Sequence, residues 1–378
     1  MTNKLSHSAL KMYSDCNRKY YLHYKKRLRS KVISGALLFG SAIDVGLNKL
    51  LETNSLEEAK AAFDKLWLAQ SINNVYTSLP KSELVVYADK DFDVDLLLLD
   101  DLKKISEDGE RETVKEIVAS LKDKKKQSGL NSLSKEEKEV LSYSHWLCLK
   151  QKGHVMLSSY QKKVLPHIKS VKAIQKPFKI ENQDGDVITG FIDLILEWDD
   201  GNVYIFDNKT SSREYEENEA TRSQQLITYY HSEKEEYDLG GVGFIVLNKN
   251  ILKNKIKICK ECGHDNSSTN HKSCNNQVTK LIRDKKNADT VIPKLTRCEG
   301  EFDVTCDPDC YIQIIKNSVS PEAESLVIET FDVANQGIKS EHFPPNLSSC
   351  VNGPIICPFV KYCWEGKEDD LVSLGDKK

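Results

Sequence analysis

The apolar and polar positions along this chain change period twice. Over residues 5–29, Leu5, Ala9, Met12, Cys16, Tyr20 and Leu28 recur at helical spacing. Ser6 or Ser8 can accept from the first unbonded N–H groups, so a single amphipathic helix is expected. Residues 35–40 read as a small-residue turn and 41–52 as the start of a second helix. From about 56 to 165 the pattern is helical and highly charged, with a break near Leu79 and Pro80. At about 171 the period becomes two. Residues 171–180, 187–198 and 202–206 predict strands, separated by the turn signals at 183–186 and 199–201. A helix over 217–236 and a strand over 242–247 follow; a strand at 311–315 and a helix at 321–335 come later. The prediction is therefore an α/β core behind a helical N-terminal region. Residues 259–298, polar and poor in core residues, interrupt that core.

Composition narrows the choices. Apolar residues make up 39% and charged residues 29% of 378, which suits a globular chain. A net charge of −3 gives no global attraction to a polyanion, so any nucleic-acid binding must come from local basic patches. Arg18, Lys19, Lys25, Lys26, Arg27, Arg29 and Lys31 interleave with Tyr20, Tyr21 and Tyr24. Such a mixture suits nucleic acid. It equally suits a solvated helix face with snorkelling stems. The run 122–126 reads as a solvated helix end. No apolar leader opens the sequence and no run of about 18 apolar residues occurs, so a soluble, intracellular protein is expected. Eleven cysteines in a reducing compartment then call for burial, metal or catalysis. Only Cys148 looks like an ordinary buried cysteine; the other ten cluster in three places.

The candidate chemistry lies in GFIDLILEWDDGNVYIFDNKTSS. Asp193 falls inside one apolar strand and Asp207 at the end of the next, with Lys209 two residues on and facing the same side. A carboxylate among apolar neighbours is costly unless it is paired or holds a metal. Two carboxylates beside a lysine make a hard-cation site for Mg²⁺ or Mn²⁺. A surface ion pair on a hairpin is the plainer reading. Downstream, Gln225 and Tyr229 share a helix face. In the insertion, Cys259-x-x-Cys262-Gly263 forms a knuckle, and Cys274 and Cys298 complete a Cys₄ set for structural Zn²⁺. His271, Cys306 and Cys310 are alternative ligands. Lys253, Lys255, Lys257 and Lys260 suggest contact with DNA or a partner protein, or merely solubility. No Gly-x-x-x-x-Gly-Lys-Ser/Thr loop is present.

In order and spacing, GFIDLIL, the Asp207-Asn208-Lys209 triplet and Gln225-x-x-x-Tyr229 resemble the motifs of the RecB-like PD-(D/E)XK nucleases. The resemblance covers about 1–50 and 171–366. It implies a restriction-endonuclease-like core, a mixed β-sheet flanked by helices, in a metal-dependent DNase acting on single strands or DNA ends. Asp193, Asp207, Lys209, Gln225 and Tyr229 would be the catalytic residues. Where the family carries a metal-binding histidine, in a G-x-x-x-H pattern, this chain has Gly40 and Asp44. Asp44 would then join Asp193 and Asp207 as a third carboxylate on the cation. Cys16 with Cys350, Cys357 and Cys363, preceded by FPPN at 343–346, resembles the subgroup in which such cysteines hold a 4Fe-4S cluster. A zinc site or unliganded thiols are the alternatives there. The implied organisation is 1–50 (first cysteine and first motif), 51–170 (helical), 171–258 (nuclease core), 259–310 (zinc-ribbon-like lobe), 311–345 (return to the core), 346–366 (Fe–S lobe) and 367–378 (polar tail). A helicase or recombination protein would be the partner, without membrane association, in the cytoplasm of a bacterial or phage-infected cell. A catalytically weak DNA-binding or assembly subunit of the same fold is the competing reading.

Overall fold

The computed structural model describes residues 4–30, 35–72, 120–182 apart from 122, 125 and 129–131, then 184–285, 290–350 and 357–374. The expected break near 79–80 lies outside them, as does much of the helical stretch between 56 and 165. The side chain of Cys148 lies outside them too.

Residues 5–29 do not form one helix. Strand β1 (Lys4–Ser6) precedes α1 (His7–Asp15), whose first turn is capped by the Ser6 hydroxyl accepting from the Ala9 N–H at 3.1 Å. The helix stops at Cys16, which is extended (φ −164°, ψ 111°), before α2 (Asn17–Tyr20), a single π turn over 21–25 and β2 (Leu28–Ser30). The helical period continues through Cys16, but its backbone is turned aside, and its sulfur accepts from the Asn346 N–H at 3.4 Å. Residues 35–40, expected as a turn, begin the 19-residue α3 (Gly35–Thr53). Helices α4 (Leu56–Ile72) and α5 (Lys135–Lys163) pack with α3 around Phe39, Phe63 and Trp67, all 2% exposed or less. Burial of each such ring contributes about 1.5–3 kcal/mol or more.

The sheet is built from β3 (Ile168–Glu181), β4 (Val187–Trp198), β5 (Val203–Ser211), β6 (Leu239–Asn248) and a later strand at 312–317, with β1 at one side. Between β5 and β6 the expected helix over 217–236 shortens to a 3₁₀ turn at 220–222 and α6 (Gln224–Glu233). Ser223 caps α6. Strand β7 (Leu252–Cys259) leaves the sheet; it pairs antiparallel with β10 (Phe302–Asp309), and β8 (Gln277–Arg283) pairs with β9 (Val291–Arg297). Residues 249–311 thereby form a compact unit of their own, beginning before the expected 259. Within the polar stretch noted at 259–298, residues 277–283 and 291–297 pair as the β8–β9 hairpin.

In the remaining unit, β11 (Ile312–Asn317) returns to pair with β6, and α7 (Pro321–Lys339) follows. The sheet order is β1-β4-β5-β6-β11, with β3 on the other edge of β4; β1–β4 and β5–β6 are parallel and the rest antiparallel. Ile195, Ile205, Phe244, Val246 and Ile315 pack with residues of α1, α6 and α7 in one core cluster. Helix α8 (Val360–Glu365) and β12 (Leu371–Ser373) close the described chain. The expected polar tail thus contains a strand: β12 pairs with β2, and Leu371 joins Leu22 and Phe359 in a small core. Among the described residues no helix is long and apolar enough to cross a membrane.

Candidate active site

Strand β3 follows β4 along its length, so β1 and β5 must share the other edge. Strand β1 takes positions 187–189 and β5 takes 194–197. Positions 190–193 lie in the gap between them, and Asp193 stands at its inner end. Strand β5 continues beyond its pairing with β4, still held by β6, and carries Asp207 and Lys209 into the same gap. By strand alternation Asp193, Asp207 and Lys209 share the face of Ile195 and Ile205, which is also the face met by α6.

Asp207 is 2% exposed and ion-paired with Lys209. Burial drives its carboxyl up to about 8; the Lys209 charge opposes this and the nearby Asp193 adds to it. On α3, Asp44 is pushed to about 7, first by burial and then by Asp193, with Lys209 opposing. Burial would lower the Lys209 ammonium, but Asp207 and Asp193 outweigh it and leave it raised. Three carboxylates thus converge on one lysine, with more negative charge than that cation balances. The buried Asp207 and the half-buried Asp44 and Asp193 are oxygen donors of the kind that suits a divalent cation and are the residues that would hold it, although among the described residues their carboxylate oxygens do not all lie within 4.8 Å of one another.

Helix α6 brings the Gln225 amide and Tyr229 hydroxyl together at 2.7 Å, with Tyr229 packed edge-on against Phe178 at 5.2 Å between ring centroids. Burial, then the charges of Asp193 and Asp207, raise the Tyr229 phenol, so this hydroxyl stays protonated and can donate beside the carboxylates. Asp44, Asp193, Asp207, Lys209 and Tyr229 therefore lie within electrostatic reach of one another, and Gln225 is bonded to Tyr229.

Three further groups were not read from the sequence. The Gln175 amide donates to Asp193 Oδ1 at 3.0 Å from a left-handed backbone (φ 51°), a strained geometry for a residue with a Cβ. It lies across from Asp193 on β3, which strand register alone could have indicated. His7, the first residue of α1, is 8% exposed, and its Nε2 has no hydrogen-bond partner among the described residues. Burial, then the Lys11 and Lys209 charges, hold its imidazole near 4 and neutral. Tyr160, fully buried on α5, lies against Asn208 and within the field of Asp44. No local motif marks either residue.

The cysteines form two groups. In the 249–311 unit, the sulfurs of Cys259, Cys262, Cys274 and Cys298 all lie within 4.8 Å of one another, a set able to hold a metal ion. The Cys259–Cys298 and Cys262–Cys274 separations are 3.6 Å. A tetrahedron with metal–sulfur bonds of about 2.3 Å requires sulfurs roughly 3.8 Å apart. The His264 backbone N–H is the main influence holding the Cys262 thiol near 6. In the other unit, Cys16, Cys350, Cys357 and Cys363 are mutually close enough for the charges of Cys16 and Cys350 to raise the thiols of both Cys357 and Cys363, after burial. Among the described residues, however, they do not reach the 4.8 Å spacing of the first group.

Comparison with known proteins agrees with the geometry. The profile of the PD-(D/E)XK nuclease superfamily matches residues 4–363. A search of curated proteins found no match.

Proposed function

Since the chain belongs to the PD-(D/E)XK nuclease superfamily, whose members are metal-dependent nucleases acting on DNA, we propose that it is a RecB-like exonuclease that hydrolyses single-stranded DNA from an end. The observation that supports this reading is the pairing of Asp207 with Lys209 beside Asp193 at the gap along β4, with Asp44 of α3 and Tyr229 of α6 both within the field of these charges. Asp44, Asp193 and Asp207 hold Mg²⁺ or Mn²⁺. When bound, the ion supplies a polarised phosphate and an activated water. Lys209 keeps its proton through Asp207, orients the attacking water by hydrogen bonding and offsets charge at the phosphate. Tyr229 and Gln225 donate to the strand being cut, and Gln175 fixes the Asp193 carboxylate.

In this reading, Cys259, Cys262, Cys274 and Cys298 hold a structural Zn²⁺, which the short sulfur separations support. Cys16, Cys350, Cys357 and Cys363 hold a 4Fe-4S cluster. A cubane sets its thiolates on a larger tetrahedron than a single ion does, which favours a cluster over zinc for the more widely spaced set. Both groups imply a reducing, intracellular setting. Unwinding of duplex DNA would come from a partner helicase.

The test uses end-labelled linear single strands, linear duplexes and closed single-stranded circles with Mg²⁺ or Mn²⁺. Progressive shortening of linear single strands with circles left intact is expected. Nicking of circles would replace the exonuclease reading with an endonuclease. No metal-stimulated cleavage of any substrate would favour the non-catalytic assembly subunit.

A further inference from the structure

The β8–β9 hairpin arises between the third and fourth cysteines of the Cys₄ group, so metal ligation there would pin both strands at their root. On one face Val278 packs against the cysteine cluster. The other face is open. Register pairs Leu281 with Pro293, Thr279 with Leu295 and Arg283 with Val291, placing all six side chains on it. Leu281 is 71% exposed, and Val291 and Leu295 are each 59% exposed. Apolar side chains presented in a row this way are costly in water and mark an interaction surface.

Charge indicates the kind of partner. Residues 277–297 contain six basic and two acidic residues, a net +4 in a chain of net −3. Lys280 is paired with Glu261 at 2.6 Å, but Arg283, Lys285, Lys294 and Arg297 make no ion pair among the described residues. The shape is a two-stranded ribbon of seven residues per strand, roughly 23 Å long. A ribbon of this width enters the major groove of B-form DNA, where arginine reads guanine or phosphate and aliphatic groups meet thymine methyls. Residues 277–297 contain no Phe, Tyr or Trp, so the base stacking that grips single strands has no platform here.

We propose that the β8–β9 ribbon is a docking element for duplex DNA, separate from the site that cuts. The choice of DNA rests on the proposed nuclease function; the assignment to a duplex rests on the ribbon itself. The test is therefore binding, not cleavage. Anisotropy of a short labelled duplex and of a single strand of the same sequence is measured with the full chain and no added divalent cation. The variants are Arg283→Ala/Lys294→Ala/Arg297→Ala and Leu281→Ser/Leu295→Ser, with metal content confirming an intact lobe.

The cationic variant should lose at least tenfold in duplex affinity, and its salt slope should fall by about two to three. The leucine variant should weaken duplex binding with the salt slope kept. Both should bind and degrade single strands as wild type does. Duplex affinity within twofold of wild type in both variants overturns the proposal, whether or not the protein cuts DNA. So does an equal loss on duplex and single strand, and so does loss of self-association with duplex affinity unchanged, which would make the face a protein interface. Should the alanine variant lose its metal, Lys285→Glu and Lys294→Glu, at two exposed positions, carry the same test.

Discussion

At the residue scale, Asp207 and Lys209 are two positions apart on one strand, and their burial decides their chemistry. A carboxylate at 2% exposure survives only with compensation, and a single lysine shared with Asp44 and Asp193 is incomplete compensation. The carboxyls of Asp44 and Asp207 titrate near 7 and 8 in the fold, against about 3.9 in an unfolded chain. Between about pH 4 and 8 the metal-free native state holds protons that the unfolded state has released, so its stability falls as pH rises through that window. A cation replaces those protons. The melting temperature of metal-free protein should fall from pH 5 to 8 more steeply than that of Asp207→Asn, and the rise caused by Mn²⁺ should be larger at pH 8 than at pH 6. An Mn²⁺ effect of equal size at both pH values would disconnect these carboxyls from the ion. Asp193, Asp207, Lys209, Gln225 and Tyr229 stand out in the sequence as candidates because each sits in a short pattern whose spacing sets its face. Gln175 and His7 reach the site through strand register and through the Ser6-capped start of α1, neither of which any local spacing encodes.

At the element scale, the long strands and α6 follow from their periods, and the short elements do not. β1, β2 and β12 are three residues each, too few for an alternation to register. The break at Cys16 is hidden because Tyr20 continues the helical spacing on the far side of an extended residue. Residues 35–40 read as a turn from Gly35 and Gly40, yet both glycines are helical, and at Gly40 a Cβ would meet the Thr210 hydroxyl of β5 only at an ordinary contact distance of 3.7 Å. Gly243 is truly constrained. On β6 a Cβ would stand 2.3 Å from the Ile315 carbonyl of β11 and 2.6 Å from the Phe206 ring. Gly243→Ala should therefore cost about 1–3 kcal/mol or more and lower the denaturant midpoint, since backbone cannot yield as a side chain does. An unchanged midpoint would mean that the β6–β11 pairing is looser than described.

For the whole molecule, the two cysteine groups should act independently because they belong to different compact units. Cys298→Ser should lower zinc content and leave iron untouched. Cys363→Ser should remove iron and the visible charge-transfer absorbance while zinc stays. Elemental analysis of both variants checks this, and loss of both metals in either one would show a single coupled assembly. The antiparallel β2–β12 pair already joins the first 30 residues to the last described ones, so a cluster at Cys16, Cys350, Cys357 and Cys363 would reinforce an existing closure. The mixed sheet flanked by helices is legible in the sequence because the strand motifs fall in order along it. The compact unit begins at 249, ahead of the first cysteine, because β7 finds its pairing partner in β10 and not in the sheet.

One centre is assigned the hydrolysis, and its direct measurement is the rate of release of label from single-stranded DNA by wild type, Asp207→Ala and Lys209→Ala under saturating Mn²⁺. Metal-dependent release by wild type, reduced on the order of 10²-fold or more in each variant with folding intact, is the predicted result. Equal rates in all three proteins would contradict it.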